Sequence, residues 1–369
     1  MTQDRFLRLH TLQAGHGDCL VIEYGDDPKQ QHAIIIDGGV AGETTPTLKR
    51  LLQGWPTAQI ELLVVTHIDD DHIVGAVRLL KNNSLRERIK DIWFNGSVEK
   101  QAADLQGLGF KKGNELEKML TDKKLMLPWN ASFGGADAVV NALKVNKGVS
   151  LPLGATITLL SPTADSLRAL RKDWAERGPL QQEVAEAAEP EAAPPPGLER
   201  LGNGVLPPID IDAILKTTSQ EDTSTANGSS IAFLFSFGGA TLLLAADAHA
   251  SVLLETATLL DGGLPRSVDI LKLPHHGSAA NVTDELLKAF PTETYVVSTN
   301  GNKHGHPDDL ALARIVVGVP GSQVLFNYPG DAYKRWLNFA TDNCERLSVG
   351  TTRTKVLEIE VKVTGQTPK

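Results

Sequence analysis

"THIDDDHIVGA", residues 66–76, sets three consecutive aspartates between His67 and His72. The apolar run "IELLVV", residues 60–65, leads into it. That run suits a strand buried on both faces. "HIVGAVRLLKN" then carries apolar residues at helical spacing. Strand ends are where α/β folds place their sites. His67, Asp69, Asp71 and His72 offer imidazole and carboxylate donors at a density that suits a divalent cation. A cation also balances carboxylates that would otherwise repel one another. The bland alternative is a solvated acidic turn with the histidines as caps.

Working outward, the chain alternates strands and helices. "FLRLHTLQ", "CLVIEYG" and "HAIIIDGG" read as short strands with turn residues between them. "ETTPTLKRLLQGW" reads as a helix with Pro46 in an early turn. "IKDIWFNG" reads as a strand and "NELEKMLTDKK" as a helix. "GATITLLSP" and "ADSLRALRKDWAER" repeat that strand–helix order. Later, "SSIAFLFSFGGATLLLAADA" reads as a hairpin turning at Gly238-Gly239. "HASVLLETATLL" is a helix, "VDILKLPHHGS" a strand ending in a histidine pair, "ETYVVSTN" a strand and "DDLALARIVVG" a helix. "KVLEIEVK" alternates like a strand. This order means an α/β protein. Both halves have paired strands first and strand–helix units after, which predicts two packed sheets with helices outside. The whole chain, 1–369, reads as a single domain. Its one break is "QQEVAEAAEPEAAPPPGLERLGNG", Gln181 to Gly204, rich in Ala, Glu and Pro. That composition predicts a flexible insertion at about 181–208.

Composition narrows the function. The 369 residues are 41% apolar, enough for a large core. No stretch approaches ~18 uninterrupted apolar residues, so no membrane span is expected. The N-terminus lacks the apolar stretch of a signal peptide. Cys19 and Cys344 lie far apart, match no zinc spacing, and fit a reduced, cytoplasmic protein. The formal net charge of −9 argues against a broad basic field for nucleic acid. It leaves room for a phosphodiester enzyme whose metal supplies positive charge locally.

Further candidates stand at equivalent strand ends. Asp247 follows "TLLLAA", His275 and His276 follow "ILKLP", and His306 follows "YVVST". Each has a structural alternative: a helix N-cap for Asp247, a buried core histidine for the pair, a turn residue before proline for His306. Together they are more persuasive, since the strand ends can converge on one rim.

These segments resemble the metallo-β-lactamase fold superfamily, whose hallmark is H-x-H-x-D-H after a strand. Asp69 replaces the second His of that hallmark. H-x-D-x-D-H with a late "PHHGS" is similar to the branch containing the hydrolase domain of the competence protein ComEC. "QAGHGDCLVIEY", "HAIIIDGG" and "NGSSIAFLF" resemble further strands of that branch, and the resemblance covers most of residues 6–310. It implies a four-layer αββα sandwich with a dinuclear site. His67 and Asp69 then hold one metal, Asp71 and His72 the other, Asp247 bridges, and His276 completes the second site. His275 becomes a neighbour touching substrate, and Asp70 points away. The superfamily's mid-chain histidine has no counterpart, because none occurs between His72 and His249. Asn227, Ser230 or water stands in, so the first metal binds more weakly. Asp18 and Asp37, in the two matching strand motifs, are placed as substitute ligands or as supports for ligands. Ala246 takes the place of a usual glycine before Asp247.

The expected cofactors are two divalent ions, Zn²⁺ or Mn²⁺, with Mg²⁺ also able to compete at the carboxylate-rich site. A bound water falls from a pKa near 15.7 to roughly 7, which makes a metal-bound hydroxide available. Asp71 orients it, and His306 and His275 steady a phosphoryl group or protonate the leaving oxygen. The reading is a metal-dependent phosphodiesterase or nuclease acting on an anionic substrate, nucleic acid or nucleotide. The alternatives are a hydrolase of a lactone, thioester or amide, and a non-catalytic partner protein in a multi-protein system.

Overall fold

A computed structural model describes residues 5–27, 29–40, 42, 44–97, 108–140, 148–187 and 208–364. The first half supplies β1 (Phe6–Leu12), β2 (Leu20–Gly25), β3 (His32–Ile36), β4 (Gln59–Val64) and β5 (Ile92–Trp93). The second supplies β6 (Val149–Ser150), β7 (Thr156–Ser161), β8 (Ala232–Phe237), β9 (Ala240–Leu244), β10 (Ile270–Lys272), β11 (Thr294–Val297), β12 (Ser322–Phe326) and β13 (Leu347–Thr351). The final strand, β14 (Val356–Val361), returns to the first sheet. The sheet orders are β14-β1-β2-β3-β4-β5 and β13-β12-β11-β10-β9-β8-β7-β6.

Each sheet is built the same way. β1, β2 and β3 pair antiparallel, and β4 and β5 then add in parallel. β7, β8 and β9 pair antiparallel, and β10 to β13 then add in parallel. The expected hairpin is β8–β9. Gly238 and Gly239 both take positive φ, 58° and 84°, as a two-residue turn of the primed type requires.

Side-chain alternation sorts the apolar residues into three layers of core. Leu62 and Val64 of β4 and Leu242 and Leu244 of β9 face the opposite sheet, with Tyr24, Trp93, Phe233 and Phe235 between them. Leu63 and Val65 face helices outside the first sheet, where Leu48, Ile73, Val77, Leu116 and Trp174 are buried. Leu243 and Ala245 face helices outside the second, where Leu253, Leu286, Ile315 and Trp336 are buried. The result is the expected αββα sandwich.

Local differences from the sequence reading have local causes. β5 is only two residues long, because the chain then turns into hydrogen bonds with Asn130 rather than with another strand. β12, β13 and the helix Asp331–Asp342 went unread. β12 alternates buried with more exposed residues, and the edge strand β13 buries only Leu347, so their apolar signal is weak. The helix after β7 runs Ala164–Ala187, into the Ala/Glu-rich stretch. Residues 188–207 of the proposed insertion lie outside the described residues. Cys19 is buried, Cys344 exposed, and both are free. Among the described residues, no helix is long and apolar enough to cross a membrane.

The helix bearing the aspartates starts at Asp70, two residues earlier than its apolar pattern predicts. Asp69 is its N-cap residue, and Asp70 and Asp71 lie in its first turn, where the helix dipole favours negative charge. Its approach to β3 is backbone on backbone. A Cβ at Gly38 would fall 2.0 Å from the Ala76 nitrogen, and one at Gly75 would fall 1.8 Å from the Gly38 oxygen. Two glycines therefore set how deeply the helix start sits at the strand ends.

Candidate metal centre

The ends of β3, β4, β9, β10 and β11 lead directly into the residues of interest. Asp37 follows β3, and Thr66 and His67 follow β4. Asp247 follows β9, and His275 and His276 follow β10. Among the described residues, three groups of donors lie close enough together to share an ion. They are His67, His72 and Asp247; Asp71, His72 and His276; and Asp18, Asp247 and His276. All of these residues are buried.

Asp247 Oδ2 is the hub. It lies 3.4 Å from His72 Nε2, 3.5 Å from His276 Nε2, and 3.9 Å from both His67 Nε2 and His275 Nε2. Asp71 Oδ2 is 3.7 Å from His276 Nε2, and Asp69 Oδ2 is 3.8 Å from His67 Nε2. Asp69 stands at the rim, while Asp70 is half-buried and outside every group.

The far side of each ring is held by a hydrogen bond that fixes its tautomer. His72 Nδ1 donates to Asp37 Oδ2 at 2.8 Å. Thr66 Oγ1 donates to the same carboxylate at 2.7 Å and accepts from His67 Nδ1 at 2.9 Å. One carboxylate therefore orients two imidazoles. His276 Nδ1 donates to the Ser298 carbonyl at 2.8 Å. With Nδ1 committed as donor in each, Nε2 is the inward nitrogen, the one whose lone pair an ion would take once its proton is displaced.

Residues 12–99 match the metallo-beta-lactamase superfamily. The match covers the strand motifs of the first sheet and the whole of "THIDDDHIVGA". No curated protein matches the chain. Among solved structures it is similar to the metallo-beta-lactamase fold protein YhfI from Bacillus subtilis, at 10% identity over 96% of this chain and 100% of that one, with a TM-score of 0.43.

The imidazole and carboxylate donors brought together here suit a divalent ion. Among the described residues, His67 Nε2 and Asp247 Oδ1 are buried with no hydrogen-bond partner. Such orphans cost on the order of 1–3 kcal/mol each unless something binds them. His72 Nε2 and His276 Nε2 face each other at 3.3 Å, although both rings already donate from the other nitrogen. Two lone pairs at that distance repel unless a proton or a cation lies between them. The matched residues include His67, Asp69, Asp71 and His72, and Asp247 and His276 lie beyond them.

The charges follow from burial and neighbours. Burial pushes His67 down to about 4, aided by His72. Burial also opposes charge on His276, but Asp247 and Asp18 outweigh it and hold that ring at about 9. The same contest, won by Asp247 and Asp37, raises His72 well above the ordinary value. Asp247 and Asp71 stay ionised despite burial because His72 and His276 face them. Asp69 is pushed up to about 6 by desolvation and by Asp71.

The remaining expected residues fall into supporting places. Ser230 Oγ lies 3.3 Å from His67 Nδ1, behind the ring. Asn227 Nδ2 donates to Asp222 Oδ2 at 2.9 Å. Asp37 backs His72. Asp18 is buried in an ion pair with Lys272 and lies 3.4 Å from His276 Nδ1. His306 stacks edge-on to His275 with ring centroids 5.3 Å apart, and its Nδ1 is 3.2 Å from Asp308 Oδ1. His275 and His276 both take left-handed φ, 46° and 56°. For a non-glycine residue that conformation costs about 1–3 kcal/mol and persists only where surroundings enforce it.

Several residues escaped the sequence reading. Lys272 is fully buried beneath the site, inside a strand that reads as apolar. Asp222 and Asn281 surround His275 but sit in polar loops without a pattern. His16 and Lys303 line the rim near Asp71 and Asp69. For His16, the adjoining "GHGD" was a signal that could have been used.

Proposed function

We propose that the chain is a metal-dependent hydrolase that cleaves a phosphodiester, with a nucleotide or another small phosphodiester as substrate. The observation that carries this reading is the acid-rich donor set around Asp247. Asp69, Asp71 and Asp247 opposite two divalent ions leave a charge of about +1, which attracts an anion. Bound ions of this kind lower the pKa of water and polarise the ester they touch.

The chain's own residues supply the rest. Asp71 is ionised and buried, and it accepts a hydrogen bond from the attacking water and sets its direction. The rim adds positive and imidazole groups, Lys303 and His16 near the aspartates, and His304 5.9 Å from His306. These face the substrate's non-bridging oxygens. His306 holds Nδ1 against Asp308, which leaves Nε2 to pass a proton to the leaving oxygen. The net charge of −9 disfavours a long polyanion and favours a small substrate.

The test is cleavage of bis-(p-nitrophenyl) phosphate, cyclic nucleotides, DNA and RNA by protein loaded with Mn²⁺ or Zn²⁺. Cleavage of at least one, lost on chelation, is expected. No cleavage of any would end the proposal. The second reading, a lactone, thioester or amide hydrolase, uses the same donors. Inorganic phosphate should compete strongly in the first case and weakly in the second. A chain that holds no metal and is equally stable in chelator would instead be a non-catalytic partner protein.

A further inference from the structure

The donors of the first metal site are one short. The second site has His72, His276, Asp71 and Asp247 around one point. The first has His67, Asp69 and Asp247. Of the two side chains expected to fill the gap, Asn227 sits behind His275, its Nδ2 donating to Asp222 and lying 3.5 Å from His275 Nδ1, and Ser230 sits at the back of His67.

His275 shows the same construction as the three ligand histidines. Its Nδ1 lies 3.3 Å from Asp222 Oδ2 and 3.2 Å from Asn281 Oδ1, so that nitrogen is the donor side. Its Nε2 then carries the lone pair and lies 3.9 Å from Asp247 Oδ2, the same distance as His67 Nε2. Asp222 is itself oriented, accepting from Asn227 Nδ2 at 2.9 Å, Asn281 Nδ2 at 3.0 Å and the Ser224 backbone N–H at 2.9 Å. A carboxylate behind an imidazole is the arrangement that orients metal-binding histidines. Asp37 does this for His72, and Asp222 does it for His275. Four Nε2 atoms thus surround one carboxylate oxygen in a near pair and a far pair.

We propose that His275 supplies the missing ligand of the first metal site, with Asp222 as its positioning residue. The adjacent histidines of "PHHGS" would then serve one ion each. His275 lies outside the three tight donor groups, so ligation requires its ring to close on the ion. This inference rests on the dinuclear reading of the centre, and its test separates the two.

The experiment counts Mn²⁺ bound to the full chain after chelator treatment and reloading, and records its electron paramagnetic resonance spectrum. The wild type should hold two ions with a coupled-pair signal. His275→Ala should hold one, with an isolated-ion signal, and His275→Asp should recover the second. Asp222→Asn should still saturate at two, with the weaker Kd raised about 10–100-fold and the tighter one unchanged. A substrate-contact role for His275 would move none of these readouts. Two ions with unchanged Kd values in His275→Ala would overturn the inference alone. Fewer than two in the wild type would overturn the dinuclear reading as well. If His275→Ala does not fold, the split between the two Kd values in Asp222→Asn decides.

Discussion

The two halves of the sandwich deliver their donors by opposite means. The first half uses one compact device. A buried strand ends, a helix begins, and His67, Asp69, Asp71 and His72 arrive within six residues. The second half collects Asp247, His275 and His276 from two strand ends and holds two of them in left-handed backbone. Each half also braces the other. Ser230 of the second half backs His67 of the first, and Asp18 of the first half backs His276 of the second. A site assembled this way depends on the two sheets staying in register as bodies, not only on its donor side chains.

Removing a donor from the compact half should have the largest effect. Asp71→Ala should lower kcat/KM on the order of 10³-fold or more, measured with saturating metal, because several kcal/mol of transition-state stabilisation is lost. A comparable stability effect is expected in the bracing. Lys272→Met removes the ammonium paired with buried Asp18, leaves only His276 beside it, and should cost up to roughly 3–5 kcal/mol in denaturant unfolding. Asp18→Asn on that background should recover part of it. If the single variant is as stable as wild type, the cross-brace is not holding the halves together.

Asp37→Ala should weaken metal binding about 10–100-fold in a chelator competition, since it releases both His67 and His72. An effect confined to the second half's ligands would contradict the division drawn above. The pH dependence of loading should report that second half. His276 holds its proton up to about 9 without metal, so binding must displace it. Apparent affinity should fall about tenfold per pH unit below that value for one displaced proton. The sign reverses for the metal-free fold. There the raised pKa of His276 stabilises fully below 6.5, and that contribution fades as pH rises through about 9. The smallest effect should come from Ser230→Ala, about 0.5–1.5 kcal/mol in thermal unfolding, since Thr66 still holds the same nitrogen.

The contrast also explains what could be read in advance. The αββα order was legible because strands buried on both faces and amphipathic helices leave different periods. That His67, Asp71 and His72 come together was legible because their spacing is set by one strand and one helix. Asp247 and the histidine pair were legible only as strand ends. Which ring of the pair does what was not legible, because adjacent residues in left-handed backbone obey no periodicity. Asp222 carried no signal at all. Its work depends on Asn227 and Asn281, which meet it only through loops far apart in the chain. Lys272 read as part of an apolar strand, and only the arrival of Asp18 from the other sheet explains a buried ammonium there.

The sequence by itself therefore determined the architecture and the donor types, since burial pattern and local spacing are properties of a few consecutive residues. Only the tertiary structure decided which nitrogen of each histidine faces inward, and that Asp247 lies among four of them. Those outcomes depend on hydrogen bonds between strand ends of different sheets, which no local stretch encodes.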